Sequence, residues 1–201
     1  MSETDVSATG SGRRRPARER LLAAAARRFY ADGVAATGID TITAEAGVAK
    51  MSLYNNFSSK ADLVRAYLDA RHEEWLGLYR ARLKETTDPR GRVLAVFDAY
   101  ADHAAFAYEH GFRGCGLLNA AAELPAGDEG REVVRAHKEE VERLIGAHVE
   151  ELLPERPDEA RTTAEHLAFL LEGAMARAGL EGDGDRVQHA RSMAAALLDR
   201  L

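Results

Sequence analysis

TGIDTITAEAGVAKMSLYNNFSSKADL, residues Thr37 to Leu63, is the stretch whose reading decides the fold. Ile39, Ile42 and Ala46 recur at helical spacing, and Gly47 follows at the position where a helix closes in a left-handed residue. Val48 to Asn56 supplies a second, two-turn helix with Val48, Leu53 and the following Phe57 inward. Two helices joined across one glycine turn have the form of a helix-turn-helix, whose second helix enters the major groove with its N-terminal residues nearest the base edges. Lys50, Met51, Ser52, Tyr54 and Asn55 then face outward. Lys50 can bond guanine acceptors or a phosphate, Asn55 can pair with adenine, and Met51 can touch a thymine methyl.

Two expected capping boxes frame this pair of helices. In TGID the Thr37 hydroxyl accepts a backbone N–H while Asp40 reaches back, and in SKAD Ser59 opens the next helix with Asp62 three residues on. Thr37, Thr41 and Lys60 reinforce helix starts whose free N–H groups suit phosphates.

Outside this stretch the helical period continues. A first helix opens near Pro16 with Leu21, Leu22, Ala25, Ala26 and Phe29 on one face, and Gly33 ends it. A fourth runs from about Ser59 to Lys84, a fifth from Arg90 to His110, and a short sixth from Leu117 to Glu123. Asp128 to Leu153, Asp158 to Ala178 and Asp185 to Leu201 complete the plan. The expected class is all-α with about nine helices. Residues 1–15 read as a disordered arm, 16–62 as a DNA-binding domain and 63–201 as a helical effector-binding and dimerisation domain.

Charge divides the same way. Residues 11–60 hold nine Lys/Arg against four acids, a net of +5, and residues 1–10 hold −2. The chain total of −6 therefore leaves −9 for residues 61–201. A basic head on an acidic body suits a polyanion contact confined to one end, to which Arg13, Arg14 and Arg15 can add an arm. A single cysteine, Cys115, excludes an internal disulfide framework and fits a reducing compartment. No apolar run reaches the roughly 18 residues of a membrane span, and LLAAAA, closed by Arg27 and Arg28, is too short for an export signal. A cytoplasmic protein is expected.

The stretch Arg18 to Leu68 resembles the DNA-binding domain of the tetracycline-repressor (TetR) family. Phe29 before Gly33, Thr37, Ile39 and Ile42, the AGV turn, LYNNF and the SK opening of the fourth helix match it in order and spacing. The resemblance implies a homodimeric regulator, usually a repressor, whose N-terminal domains bind a palindromic operator and whose C-terminal helices dimerise and hold a small organic inducer. Carried over by position, Thr37, Lys50, Ser52, Tyr54 and Lys60 contact DNA, while Leu53 and Phe57 are structural. Met51 and Asp40 depart from the family's usual residues, so base preference does not transfer. The last two helices are implied to form the dimer interface through Leu167, Leu170, Leu171, Met175, Val187, Met193 and Leu197. They place two reading heads about 34 Å apart, or a multiple of it.

Candidate pocket residues are the aromatic and polar groups of helices four to eight. Trp75, Tyr79, Phe97, Tyr100, His103 and Phe106 supply the aromatic walls, and Cys115, Asn119, His166 and Phe169 complete the set. GFRGCGLLNAAAEL places Cys115 at a helix start beside Arg113, and the block resembles one in a subset of TetR-like regulators, some of which sense electrophiles through a cysteine. An activator or thiol sensor is the alternative within the class. An enzyme is disfavoured: there is no HExxH, GxSxG or P-loop, and His103 and His110, seven apart on one expected helix and conceivable as a metal pair, read better as isolated histidines. No cofactor and no metal site are expected. A helical adaptor would leave the charge asymmetry unexplained.

Overall fold

The computed structural model describes residues 11–106 and 111–201, and among them forms nine helices. It divides between Tyr67 and Leu68 into two compact units, slightly later than the expected boundary after residue 62. No described helix is long and apolar enough to cross a membrane.

The first unit holds α1 (Ser11–Asp32), α2 (Ile39–Ala46), α3 (Lys50–Tyr54) and the start of α4 (Lys60–Leu83). α1 begins at Ser11 rather than near Pro16, which stands sixth in the helix and withholds the N–H that would otherwise bond the carbonyl four residues earlier. The expected arm lies outside the described residues at 1–10 and outside the described side chains at 11–15. Leu21, Ala24, Ala25 and Phe29 of α1, Ile42 of α2, Leu53 and Phe57 around α3, and Leu63 and Tyr67 of α4 make the core. The Phe29 ring meets Tyr67 edge-on at 5.5 Å, and the Arg18 guanidinium lies 5.0 Å over Phe57.

The two expected capping boxes fare differently. Ser59 Oγ accepts the Asp62 N–H at 3.0 Å as expected, and the Asp62 carboxylate reaches back one residue further, to the Ser58 N–H at 2.9 Å. Thr37, by contrast, caps nothing. The N-cap of α2 is Gly38, with no side-chain bond, and Thr37 is buried with its hydroxyl donating to the Gly33 carbonyl at 2.6 Å. TGID therefore opens α2 through Gly38, while its threonine side chain ties back to the end of α1. Gly47 behaves as predicted, at φ 62° and ψ 41°, with the Val48 N–H bonded to the Thr43 carbonyl and the Gly47 N–H to that of Ala44, a Schellman closure.

The second unit continues with α5 (Pro89–Ala104), α6 (Gly116–Glu123), α7 (Glu129–Leu152), α8 (Pro157–Glu181) and α9 (Asp185–Leu198). The fifth helix was expected to reach His110; residues 107–110 lie outside the described ones. Asp88 and Asp128 cap α5 and α7 through the N–H groups of Gly91 and Gly130, each at 2.8 Å. α7 lies against α5 and α8, and α9 against α5 and α8, around Phe97, Tyr100, Val141, Ile145, Leu167, Leu171 and Met175. Arg191 forks onto Asp98 at 2.5 and 3.1 Å, tying α9 to α5. The segment before α6 crosses α8 where both chains have glycine. A Cβ on Gly179 would stand 2.7 Å from the Gly114 nitrogen and 2.8 Å from the Arg113 carbonyl, so only hydrogen fits.

Candidate nucleic-acid interface and buried polar core

α3 is only five residues long, too short to persist without its neighbours. Leu53 and Phe57, both buried, fix it to α1 and α2, and the Asn56 amide donates to the Ser52 carbonyl at 2.7 Å, securing its last turn. That leaves Lys50, Met51, Tyr54 and Asn55 exposed on the outer face, with Ser52 half-buried, Thr41 exposed in the first turn of α2, and Lys60 half-buried at the start of α4. Seven of the eight residues expected at a DNA surface therefore have accessible side chains. Thr37 is the correction: its side chain is turned inward and its hydroxyl is committed to α1. Sequence reasoning also missed two partnerships. Lys50 Nζ pairs with an Asp40 carboxylate oxygen at 2.8 Å, and Glu45 is clamped between Arg27, at 2.5 Å, and Arg28. Beside α3 an open depression of about 380 Å³ is lined by Arg20, Gly47, Ser52, Asn55 and Asn56 among others.

In the second unit, Trp75, Tyr79, Phe97, Tyr100, His103 and Cys115 of the candidate pocket set are all buried. His166 and Phe169 are corrections: both face outward on α8, because an apolar or aromatic residue at helical spacing does not reveal which side its helix turns inward. Asn119 bonds the Arg113 carbonyl at 2.8 Å, and the exposed Phe106 ring meets His103 edge-on at 5.4 Å. The residues that join the cluster together were not foreseen: His72, His137, Lys138, Glu172 and His148.

Lys138 Nζ reaches Glu172 at 2.7 Å, the Tyr100 hydroxyl at 3.4 Å and Cys115 Sγ at 3.5 Å. Tyr100 meets His137 Nε2 at 3.4 Å, His137 Nδ1 contacts His72 Nδ1, and His72 Nε2 reaches Glu140 at 2.9 Å. One donor order satisfies every link with both imidazoles neutral: Lys138 to Tyr100, Tyr100 to His137, His137 to His72, His72 to Glu140. The electrostatics agree. Burial, with the charge of the Lys138 ammonium adding to it, lowers His137 to about 2. His103, buried and accepting from the Arg71 guanidinium at 2.5 Å, is lowered to about 3. Burial alone would lower Lys138, but Cys115, Tyr100 and Glu172 outweigh it and hold the ammonium charged. Trp75 stacks on Tyr79 at 5.5 Å, while Tyr79 bonds His148 at 2.7 Å and is pushed up to about 12, mainly by burial. Two buried atoms have no hydrogen-bond partner among the described residues, Trp75 Nε1 and Glu172 Oε2, so a donor and an acceptor stand ready inside the helical body. No group of three or more described side chains has the arrangement of a metal site.

The set expected at a dimer face also divides. Leu167, Leu171, Met175 and Val187 are wholly buried within one protomer and cannot meet a second copy, a correction with the same cause as His166. Leu170 and Leu197 are half-buried and Met193 is exposed. The outer stripe of α8 is Phe169, Gly173, Ala176 and Leu180, with Phe169 70% and Leu180 88% exposed.

Residues 21–67 match the model of the tetR family of bacterial regulatory proteins. Among curated proteins, the chain is similar to the HTH-type transcriptional activator FasR of Mycolicibacterium smegmatis, 38% identical over 53% of this chain and 48% of that protein. It is also similar to the HTH-type transcriptional regulator TtgR of Pseudomonas putida, 43% identical over 37% of this chain and 36% of that one. The matched stretch thus spans half or less of these relatives' lengths. Among solved structures, a TetR-family transcriptional regulator from Streptomyces coelicolor is 33% identical, covers 92% of this chain and 89% of its own, and superposes with a TM-score of 0.81. With that extent of identity joined to the helix-turn-helix match, the chain belongs to the TetR family.

Proposed function

We propose that this protein is a transcriptional regulator whose first unit reads a palindromic operator and whose second unit dimerises and binds a small organic effector. It acts in the cytoplasm as a repressor released by that effector. The observation that carries the reading is α3: a helix too short to stand alone, seated by Leu53 and Phe57, with Lys50, Met51, Tyr54 and Asn55 turned outward on the basic end of an acidic chain. Such a helix can sit in a major groove while the helix starts around it hold phosphates. The effector half of the reading draws on the buried aromatic wall of Trp75, Tyr79 and Tyr100 and on the unpartnered polar atoms of Trp75 and Glu172. The dimer half draws on the exposed apolar stripe of Phe169 and Leu180 with Met193 of α9. Incubating the full chain with a random duplex library and sequencing what is retained tests the first claim. Enrichment of a two-fold symmetric site supports it, and no enrichment at low salt removes it.

A second reading has its own observation: Cys115 Sγ lies 3.5 Å from Lys138 Nζ, which places the chain's single cysteine in the buried polar cluster as the reacting group of a thiol sensor. N-ethylmaleimide then releases operator from the wild type and not from Cys115→Ser. Equal release from both rules this reading out.

A further inference from the structure

The pair that the first unit places on its outer face is an ion pair between two exposed side chains. Asp40 is the second residue of α2 and its side chain is 79% exposed; Lys50 is the first residue of α3 and is 55% exposed. Their charged atoms lie 2.8 Å apart. Resting on the reading that α3 enters the major groove, this places a carboxylate beside the ammonium nearest the base edges. A carboxylate there is repelled by every phosphate it approaches. It is favourable only where the groove offers donors, and the major groove offers two, the exocyclic amino groups of cytosine and adenine.

The spacing sharpens the choice. Within one base pair, guanine O6 and cytosine N4 are hydrogen-bonded to each other and so lie about 3 Å apart. An ammonium and a carboxylate 2.8 Å apart present the complementary donor and acceptor to that edge. We infer that Asp40 and Lys50 read one base pair of each half-site as a unit, Lys50 donating to guanine O6 and Asp40 accepting from cytosine N4. A thymine–adenine pair in the same strand order shows a keto oxygen and an amino group in the same places, so it is the best-tolerated alternative. The reversed pairs put an amino group against the ammonium and a keto oxygen against the carboxylate, and both contacts fail. Asp40 is thus a specificity residue that costs non-specific affinity and gains orientation along the strand.

The test is the random-duplex selection repeated with Asp40→Ala and Asp40→Asn, with thermal melts of each variant as a control for the structural role a carboxylate plays in the first turn of α2. For the wild type, one position per half-site enriches guanine–cytosine, tolerates thymine–adenine, and disfavours the two reversed pairs by about ten-fold or more. In Asp40→Ala that discrimination falls below about three-fold while every other position keeps its preference, and Asp40→Asn, whose amide suits adenine N6 and N7, moves the preference toward an adenine-containing pair. Unchanged relative preferences at every position in both variants, with or without a uniform loss of affinity, overturn the inference. If Asp40→Ala does not fold, the near-isosteric Asp40→Asn decides alone. A wild type that selects no sequence at all would instead remove the operator reading on which the inference rests.

Discussion

Thr37 shows how one hydroxyl changes the account of a whole segment. The pattern TGID reads as a helix start, yet the hydroxyl donates to the Gly33 carbonyl at 2.6 Å, inside the unit, and the exposed N-cap of α2 passes to Gly38. A buried hydroxyl satisfying a carbonyl at the end of α1 is worth about 1 kcal/mol, and leaving that carbonyl unpaired costs more. Thr37→Val therefore lowers the stability of the first unit by about 1–3 kcal/mol in chemical denaturation, while Thr37→Ser, which keeps the donor, lowers it less. Were Thr37 a phosphate contact instead, the valine variant would lose DNA affinity at unchanged stability. The outward residues Lys50, Met51, Tyr54 and Asn55 were legible because Leu53 and Phe57 fix the face of so short a helix. The Asp40–Lys50 pair was not, because it joins two helices and depends on how they pack.

At the scale of elements, glycine and proline punctuation made the helices legible: Gly47, Gly182 and Pro157 stand where α2 and α8 end or begin. What punctuation cannot give is the rotation of a long helix about its axis. α8 carries apolar groups around much of its circumference, so Leu167 and Phe169 looked alike in sequence, though one is fully buried and the other exposed. The polar chain through α4, α5 and α7 was illegible for a related reason. His72, Tyr100 and His137 are far apart in sequence and meet only in the packed unit. That chain makes the second unit acid-sensitive in a defined direction. His137 and His103 stay neutral in the folded chain, lowered to about 2 and about 3, whereas the unfolded chain protonates them near 6.5. The unfolded state then binds more protons below that value, so their contribution is intact above pH 6.5 and declines as the pH falls below it. The loss approaches about 1.4 kcal/mol per pH unit for each histidine. Denaturation between pH 5 and 8 should show this slope, and His137→Gln should reduce it by about half; an unaltered slope would mean that His137 is not held neutral.

For the whole molecule, the proposed reading of a palindrome calls for two copies, which the proposal joins through the second unit. Leu180, 88% exposed, and Phe169, 70% exposed, lie on the outer face of α8 next to Gly173 and Ala176, which allow close approach of another helix. Leu180→Glu with Phe169→Glu should yield a folded monomer in sedimentation experiments and weaken operator binding by at least about ten-fold, since one head then contributes alone. A double variant that sediments as the wild type does would place the dimer face elsewhere. The account rests most heavily on α3 as the element that meets DNA, and binding to the selected duplex measured across salt concentrations tests it directly. Wild type is compared with Lys50→Ala and Tyr54→Ala, each confirmed folded by thermal melting. The account predicts affinities at least about ten-fold weaker for each variant, with a shallower salt dependence where Lys50 is lost; variants that bind as tightly as the wild type, with the same salt slope, would contradict it.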